Sequence, residues 1–387
     1  MVNLPDHRPD WDPRAPAVLR DQIQAYDSMR QRCPVAHSEY LHWSLFRHAD
    51  VLRVLHDSET FGNAVSTHVS VPNGMDPPEH TAWRALIEPY FAPAQLAAFE
   101  LVARGIARAL VAALPDSGEV EWMDGFAQDG AVRLLCAFMG WPASLHAPLR
   151  EWSRRNQAAT LAGDRAALAA IAFEFDGHIR AQLARCRAMK EPGQDLTSRL
   201  LRERVHGRPV RDEAIVSILR NWTVGELTTL AACFGILVQF LAERQDVQRL
   251  LRADPSLLPA AIDEILRIHP PLISNRRMVR RPTEIGGRKL APGERVTVMW
   301  ASANRDEAVF GDPDEFRLDR DPKLNLLYGA GLHACPGADL SRMQLRSVME
   351  ALLAGTKSIV PGHEGQAEKA CYPGSGFARL VVRVEKA

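Results

Sequence analysis

Apolar residues recur at three- and four-residue spacing along most of this chain, the signature of helices that bury one face. The pattern predicts helices over 84–90, 94–114, 121–138, 145–161, 165–189, 212–243 and 337–354. Strand signals are few and late. Residues 283–285, 295–300 and 378–384 alternate or run apolar, broken by Gly286-Gly287 and Pro292-Gly293 turns. The expected fold is mainly α with a minor β region, crossed by one long central helix. Residues 301–332, with Pro313 and Pro322, carry no regular pattern. Irregular stretches of about 30 residues are uncommon inside a compact domain and often functional.

Composition narrows the class. At roughly 150 residues per domain, 387 residues suggest two or three units, or one large one. With 46% hydrophobic and 24% charged residues, the chain has a globular core and is no disordered, collagenous or disulfide-scaffold protein. Lys+Arg and Asp+Glu are both 47, so no bulk attraction to nucleic acid or an anionic membrane is expected. The six cysteines (33, 136, 186, 233, 335, 371) are scattered without CxxC, which suits a reducing compartment. The charged, proline-rich N-terminus has no signal-peptide pattern. The longest uncharged apolar run, 227–242, includes Thr228, Thr229 and Gln239 and falls short of the roughly 18 residues of a membrane span. A soluble, cytoplasmic protein is expected.

One segment carries distinctive chemistry. Tyr328-Gly-Ala-Gly-Leu-His-Ala-Cys335-Pro-Gly337 is a glycine-rich loop feeding a helix. Gly329, Gly331 and Gly337 clear side chains where a backbone turns sharply or meets something closely. Cys335 lies just before a helix N-terminus, where dipole and free amides favour the thiolate. Three readings stand: a buried structural cysteine, a nucleophile paired with His333, or a thiolate ligand to a metal in a flat macrocycle.

Taken with other segments, this loop resembles the heme loop of the bacterial, soluble cytochrome P-450 family: aromatic-Gly-x-Gly-x-His/Arg-x-Cys-x-Gly, with Tyr328 where Phe is usual. Glu264-Ile-Leu-Arg267, ahead of Pro270-Pro271, matches the family's ExxR motif, and Arg320 of Phe316-Arg-Leu-Asp-Arg320 its third member. These three are structural by that resemblance. Asp76-Pro-Pro-Glu-His80-Thr-Ala-Trp-Arg84 is similar to the family's entry to the helix along the heme edge. The resemblance covers about residues 15–387. It implies a single heme-thiolate monooxygenase domain over 1–387, with heme b between the long central helix and the helix after Cys335. Cys335 would be the axial iron ligand, and His80, Arg84, Arg277 and His333 would meet the heme propionates.

The implied activity is O2 activation and insertion of one oxygen atom into a small apolar substrate. With no GxGxxG at a strand-to-helix junction and no cysteine cluster for an iron–sulfur centre, electrons must arrive from outside. NAD(P)H is their expected source, through a ferredoxin- or flavodoxin-type redoxin and its reductase, or through a fused reductase beyond this chain. A peroxide-driven peroxygenase or peroxidase and a non-catalytic heme sensor are the other function classes. The resemblance places substrate contacts in 61–71, in 158–175 and in the central helix; Phe61, Val65, Val69 and Val71 suggest an apolar pocket, and core packing explains them equally well. In that helix the family usually carries Ala/Gly-Gly-x-Asp/Glu-Thr. This sequence has Gly225, Thr228 at the alcohol position, and Leu227 where the acid belongs, with Glu226 one residue early. One residue is about 100° of helix. Thr228 is the expected residue of oxygen activation and Glu226 a proton-path candidate, with a pocket-facing or arginine-paired Glu226 as alternatives. Pro336, lacking an N–H, cannot donate to the cysteine sulfur.

Overall fold

The computed structural model describes residues 7–66, 70–191, 193–363, 367–372 and 374–387. Among these, the helices of nine residues or more are α1 (Gln22–Arg32), α2 (His48–His56), α3 (Glu79–Ile87), α4 (Pro93–Ala112), α5 (Gln128–Met139), α6 (His146–Ala162), α7 (Arg165–Arg187), α8 (Asp212–Glu243), α9 (Gln245–Ala253), α10 (Leu258–Ile268) and α11 (Ala338–Gly355).

The central helix α8 runs 32 residues, and its bounds match the expectation. Asp212 and Glu213 in its first turn complement the positive end of the dipole. By length and composition α8 could cross a membrane, but 67% of its most apolar window is buried inside the protein. It is a core helix. Its downstream half, Leu230–Ala242, packs with residues of α4, α5, α10, α11 and the strands Thr356–Pro361 and Val381–Lys386. The upstream half, Ile215–Leu227, packs with α3, α5, α6 and α7.

A five-stranded sheet lies apart from these helices, over its own apolar cluster. Its order is Val35–Ser38, His42–Leu45, Arg295–Met299, Ser274–Val279, Phe61–Gly62. Val296 pairs parallel with Trp43 and antiparallel with Arg277. That register buries Arg277 and leaves Arg276 exposed, as strand alternation requires.

The expected helix over 121–138 is shorter. A strand, Ser117–Glu121, and a π-type turn, Met123–Ala127, precede α5. The Glu121 carboxylate accepts from the amides of Met123 (3.3 Å) and Asp124 (2.7 Å), and this capping sets where the helical path begins. The stretch 301–332 is not one loop. It holds short helices at Trp300–Ala303 and Glu307–Phe310 and single turns at Pro322–Leu324 and Gly331–His333.

Candidate functional site

The cysteine loop is built by backbone constraints. Gly329 and Gly331 both adopt positive φ (+72° and +69°), and a Cβ on Gly331 would collide with the Leu55 carbonyl of α2. The Cys335 amide donates to the Tyr328 carbonyl at 2.8 Å and closes the loop. Arg342 of α11 lies 4.4 Å over the Tyr328 ring and pairs with Asp263 of α10 at 2.9 Å, so the loop is clamped between two helices.

Beneath it lies the network expected from ExxR. Arg267 makes two bonds to Glu264, 2.8 and 2.9 Å, with side chains only 1% and 5% exposed. Arg320 joins at 2.9 Å through the same carboxylate. The remaining guanidinium donors grip backbone carbonyls: Asn304 and Pro313 for Arg267, and Phe310, Asp312 and Glu315 for Arg320. Asn304 in turn accepts from the Leu326 amide at 2.7 Å. Buried charge is thus spent on fixing 304–326, the irregular path into the cysteine loop.

The Cys335 thiol lies at the bottom of a recess: its surface is accessible, yet protein surrounds it on most sides. Burial raises its pKa, against the opposing pull of the Gly337 amide, Arg84 and Arg342. The amide at the helix terminus favours the thiolate as expected, and desolvation opposes it with the larger effect. Pro336 precedes the N-cap Gly337 rather than opening the helix, and it is the Gly337 amide that bonds the sulfur. The His333–Cys335 nucleophile reading has no support: neither residue hydrogen-bonds the other, and burial with His80, Arg277 and Arg84 pushes His333 down to about 3.

Four expected residues gather near one another. The His80 and His333 rings are 4.1 Å apart. Both ring nitrogens of His80 and Nε2 of His333 are buried without partners. Burial first, then Arg84, lowers the His80 pKa. Arg277 is 6% exposed, bonds only the Arg276 carbonyl (2.7 Å), has no carboxylate within ion-pair distance among the described residues, and is pushed down to about 10 by burial. Arg84 differs in part: it donates to the Ala334 carbonyl at 2.8 Å and pairs with Glu88 at 3.1 Å, tying α3 to the cysteine loop. Unpartnered imidazole nitrogens and a buried guanidinium without a counter-ion, close to a thiol, fit a flat group that carries carboxylates and a metal. Trp300 Nε1, another buried unpaired donor, has its ring against Gly329. Sequence reasoning passed it over as core.

On α8, Thr228 is exposed and its hydroxyl donates to the Val224 carbonyl at 3.0 Å. Thr223 does the same to Leu219 at 2.7 Å. The helix runs unbroken through Gly225. Glu226 lies beside Gln344 of α11, with Oε2 unpartnered and no cation within ion-pair distance among the described residues. The arginine-paired alternative therefore fails. Burial raises the Glu226 carboxyl to about 7. Gln344, fully buried with both amide atoms unpaired, was missed; a polar residue inside the apolar stripe of α11 was its only signal.

Of the apolar residues in 61–71, Phe61 packs in the apolar cluster of the sheet and Val71 in the helical core. Val65 is half-buried, and Val69 lies outside the described residues. Within 158–175, Phe175 stacks on Trp152 at 4.4 Å while Phe173 faces solvent.

Comparison with known proteins agrees with this geometry. The family model Cytochrome P450 matches residues 237–364. Erythromycin C-12 hydroxylase of Saccharopolyspora erythraea is 31% identical over 342 residues, covering 84% of this chain and 85% of that protein. Nocardicin C N-oxygenase of Nocardia uniformis is 32% identical over 341 residues, covering 82% and 84%. The solved structure of cytochrome P450 CYP109Q5 from Chondromyces apiculatus superposes with a TM-score of 0.85 at 27% identity, over 96% of this chain and 97% of that one. The thiol recess, the ExxR network and these relatives together make the chain a member of the cytochrome P450 family, a heme-dependent monooxygenase.

Proposed function

We propose that Cys335 is the thiolate ligand of heme iron and that His80, Arg84, Arg277 and His333 hold the propionates, all within a single domain over 1–387. The observation that carries this reading is the set of unpartnered buried imidazole nitrogens of His80 and His333, together with Arg277, a buried guanidinium without a carboxylate partner, grouped beside a loop that presents one thiol. When bound, the heme supplies the redox chemistry that places one oxygen atom of O2 in an apolar substrate. The protein residues do the rest. The Gly337 amide bonds the sulfur, and the guanidinium of Arg277 would neutralise propionate charge. Thr228 presents a hydroxyl held by Val224, with a lone pair free to accept. Glu226, poised near neutrality by burial, exchanges protons from the α11 side of α8.

Electrons reach this site ultimately from NAD(P)H through a ferredoxin- or flavodoxin-type redoxin and its reductase, in the cytoplasm. The spectrum of the reduced, CO-bound protein tests the ligand. A thiolate-type Soret position that is lost in Cys335→His supports the assignment; an imidazole-type position in the wild type overturns it. Turnover with NADH and a redoxin system, compared with peroxide alone, tests the electron route.

A further inference from the structure

Asn221, Val224, Gly225 and Thr228 of α8 fall on one helix face, at i, i+3, i+4 and i+7. Val224 and Thr228 are exposed along that stripe. Asn221 is half-buried at its upstream end, about 10 Å of helix rise from Thr228. Its amide is committed to a segment far away in sequence. Nδ2 donates to the Val71 carbonyl at 2.9 Å and to Ser70 Oγ at 3.2 Å, and Oδ1 faces the same hydroxyl at 3.3 Å. One turn upstream, Ser217 Oγ accepts from the Val71 amide at 2.9 Å. Both backbone polar groups of Val71 are therefore satisfied by side chains of α8.

The chain that follows is internally tied. Gly74 donates to the Ser70 carbonyl (2.7 Å), Met75 to that of Pro72 (2.9 Å), and His80 to that of Asp76 (3.0 Å). So the Asn221 bonds fix the start of a segment that ends in α3, the helix of His80 and Arg84. An asparagine inside a helix is a poor helix former. These bonds explain its presence.

We propose that Asn221 is a positioning residue that holds Ser70-Val71 across the upstream end of the substrate stripe, so that binding of elongated molecules depends on it and access to the iron does not. This rests on the heme-monooxygenase reading above. It is tested in holoenzyme with Asn221→Ala and Asn221→Asp. The aspartate has the same shape but cannot donate to the Val71 carbonyl.

Two probes are titrated by their Soret shifts: imidazole, which reaches only the iron, and 4-(4-biphenylyl)imidazole, which extends along the helix. Both variants should weaken the long probe about tenfold, the loss of one or two hydrogen bonds, and leave imidazole within about twofold. Hydrogen exchange at the amides of 71–76 should quicken about tenfold in both variants. Unchanged exchange overturns the proposal, as does equal weakening of both probes. An aspartate variant that behaves as wild type also overturns it, because the role would then be one of shape. A wild type with no Soret shift on imidazole would sink the heme reading and this proposal with it, whereas a normal shift with unchanged exchange sinks the proposal alone.

Discussion

Glu264→Gln should do more damage than any other single isosteric change near the cysteine loop. The carboxylate accepts two bonds from Arg267, one from Arg320 and one from the Arg317 amide. The amide that replaces it accepts through one atom, carries no charge, and leaves a guanidinium that is 1% exposed without a counter-ion. Removing one partner of such a buried pair costs about 3–5 kcal/mol. Unfolding entropy near 2.1 cal/mol/K per residue amounts to about 0.8 kcal/mol/K for 387 residues, so Tm should fall by roughly 4–6 °C. The loss propagates, because Arg267 and Arg320 also hold the carbonyls of 304–315 that lead to the cysteine loop. Heme content after purification should drop as well. The assay is thermal unfolding of the holoprotein by circular dichroism, together with the ratio of Soret to protein absorbance. Arg317→Ala, which removes only exposed pairs with Asp319 and Glu315, serves as control and should shift Tm by less than about 1 °C. A Glu264→Gln protein with wild-type Tm and full heme would refute the bracing role.

Arg277→Gln should speed heme transfer to an excess of apo-acceptor protein by roughly ten- to hundredfold, since a charge-assisted bond is worth about 1.5–3 kcal/mol; wild-type transfer kinetics would refute its propionate role. Glu226 has a raised folded-state pKa, so the folded state binds its proton more tightly than the unfolded one. Its contribution is most favourable below about pH 4.5 and is lost as pH rises through about 7. The Tm of Glu226→Gln relative to wild type should therefore climb between pH 5 and pH 8, and a flat difference would show the carboxyl to be solvated. Pro336→Leu adds an amide near the sulfur and should raise the heme potential by up to about 40 mV, one hydrogen bond of about 1 kcal/mol for a one-electron couple; an unchanged or lower value in a redox titration counts against it. Thr228→Ala should lower product formed per NADH consumed and raise peroxide release, and intact coupling would exclude its hydroxyl from proton delivery.

What the sequence disclosed tracks how locally each feature is encoded. The bounds of α8 and the cysteine-loop glycines could be read because period and positive-φ demands act over a few residues. The Glu264–Arg267 pair was visible as i,i+3 spacing, and Arg320 entered only through family resemblance, since 56 residues separate it from Glu264. The strands Val35–Ser38 and His42–Leu45 went unseen because four residues are too few to count a period. For Phe61 and Val71 pocket wall and core packing stood level, because apolar side chains under a sheet and around a ligand look alike in sequence. Trp300 and Gln344 were hidden by the same ambiguity: each is a polar atom on a residue whose spacing reads as core. At Cys335 the sequence disclosed one of two opposing effects. Helix-terminus electrostatics can be read from sequence, but the depth of burial that opposes it belongs to the tertiary structure.

The one-residue displacement of the acid has a structural consequence that spacing alone could not decide. A carboxylate at 227 would share the position now held by Leu227, which is fully buried in the α3–α5–α6–α7 core and could not keep a charge there without a partner. At 226 the side chain turns about 100° away, toward Gln344 of α11, the helix that begins just after Cys335. There it raises the thiol pKa of Cys335 through space, so the proton on Glu226 and the charge on the sulfur are linked. Such coupling is reciprocal: added negative charge at the sulfur favours the protonated carboxyl, and a neutral carboxyl favours the thiolate. In this chain, then, the acid nearest the Thr228 turn is tied to the thiolate side of the site, while Thr228 alone faces the open stripe. A proton passing from Glu226 toward Thr228 must cross around α8, and that detour is why coupling efficiency, rather than substrate affinity, is the property that substitutions at these two residues should move.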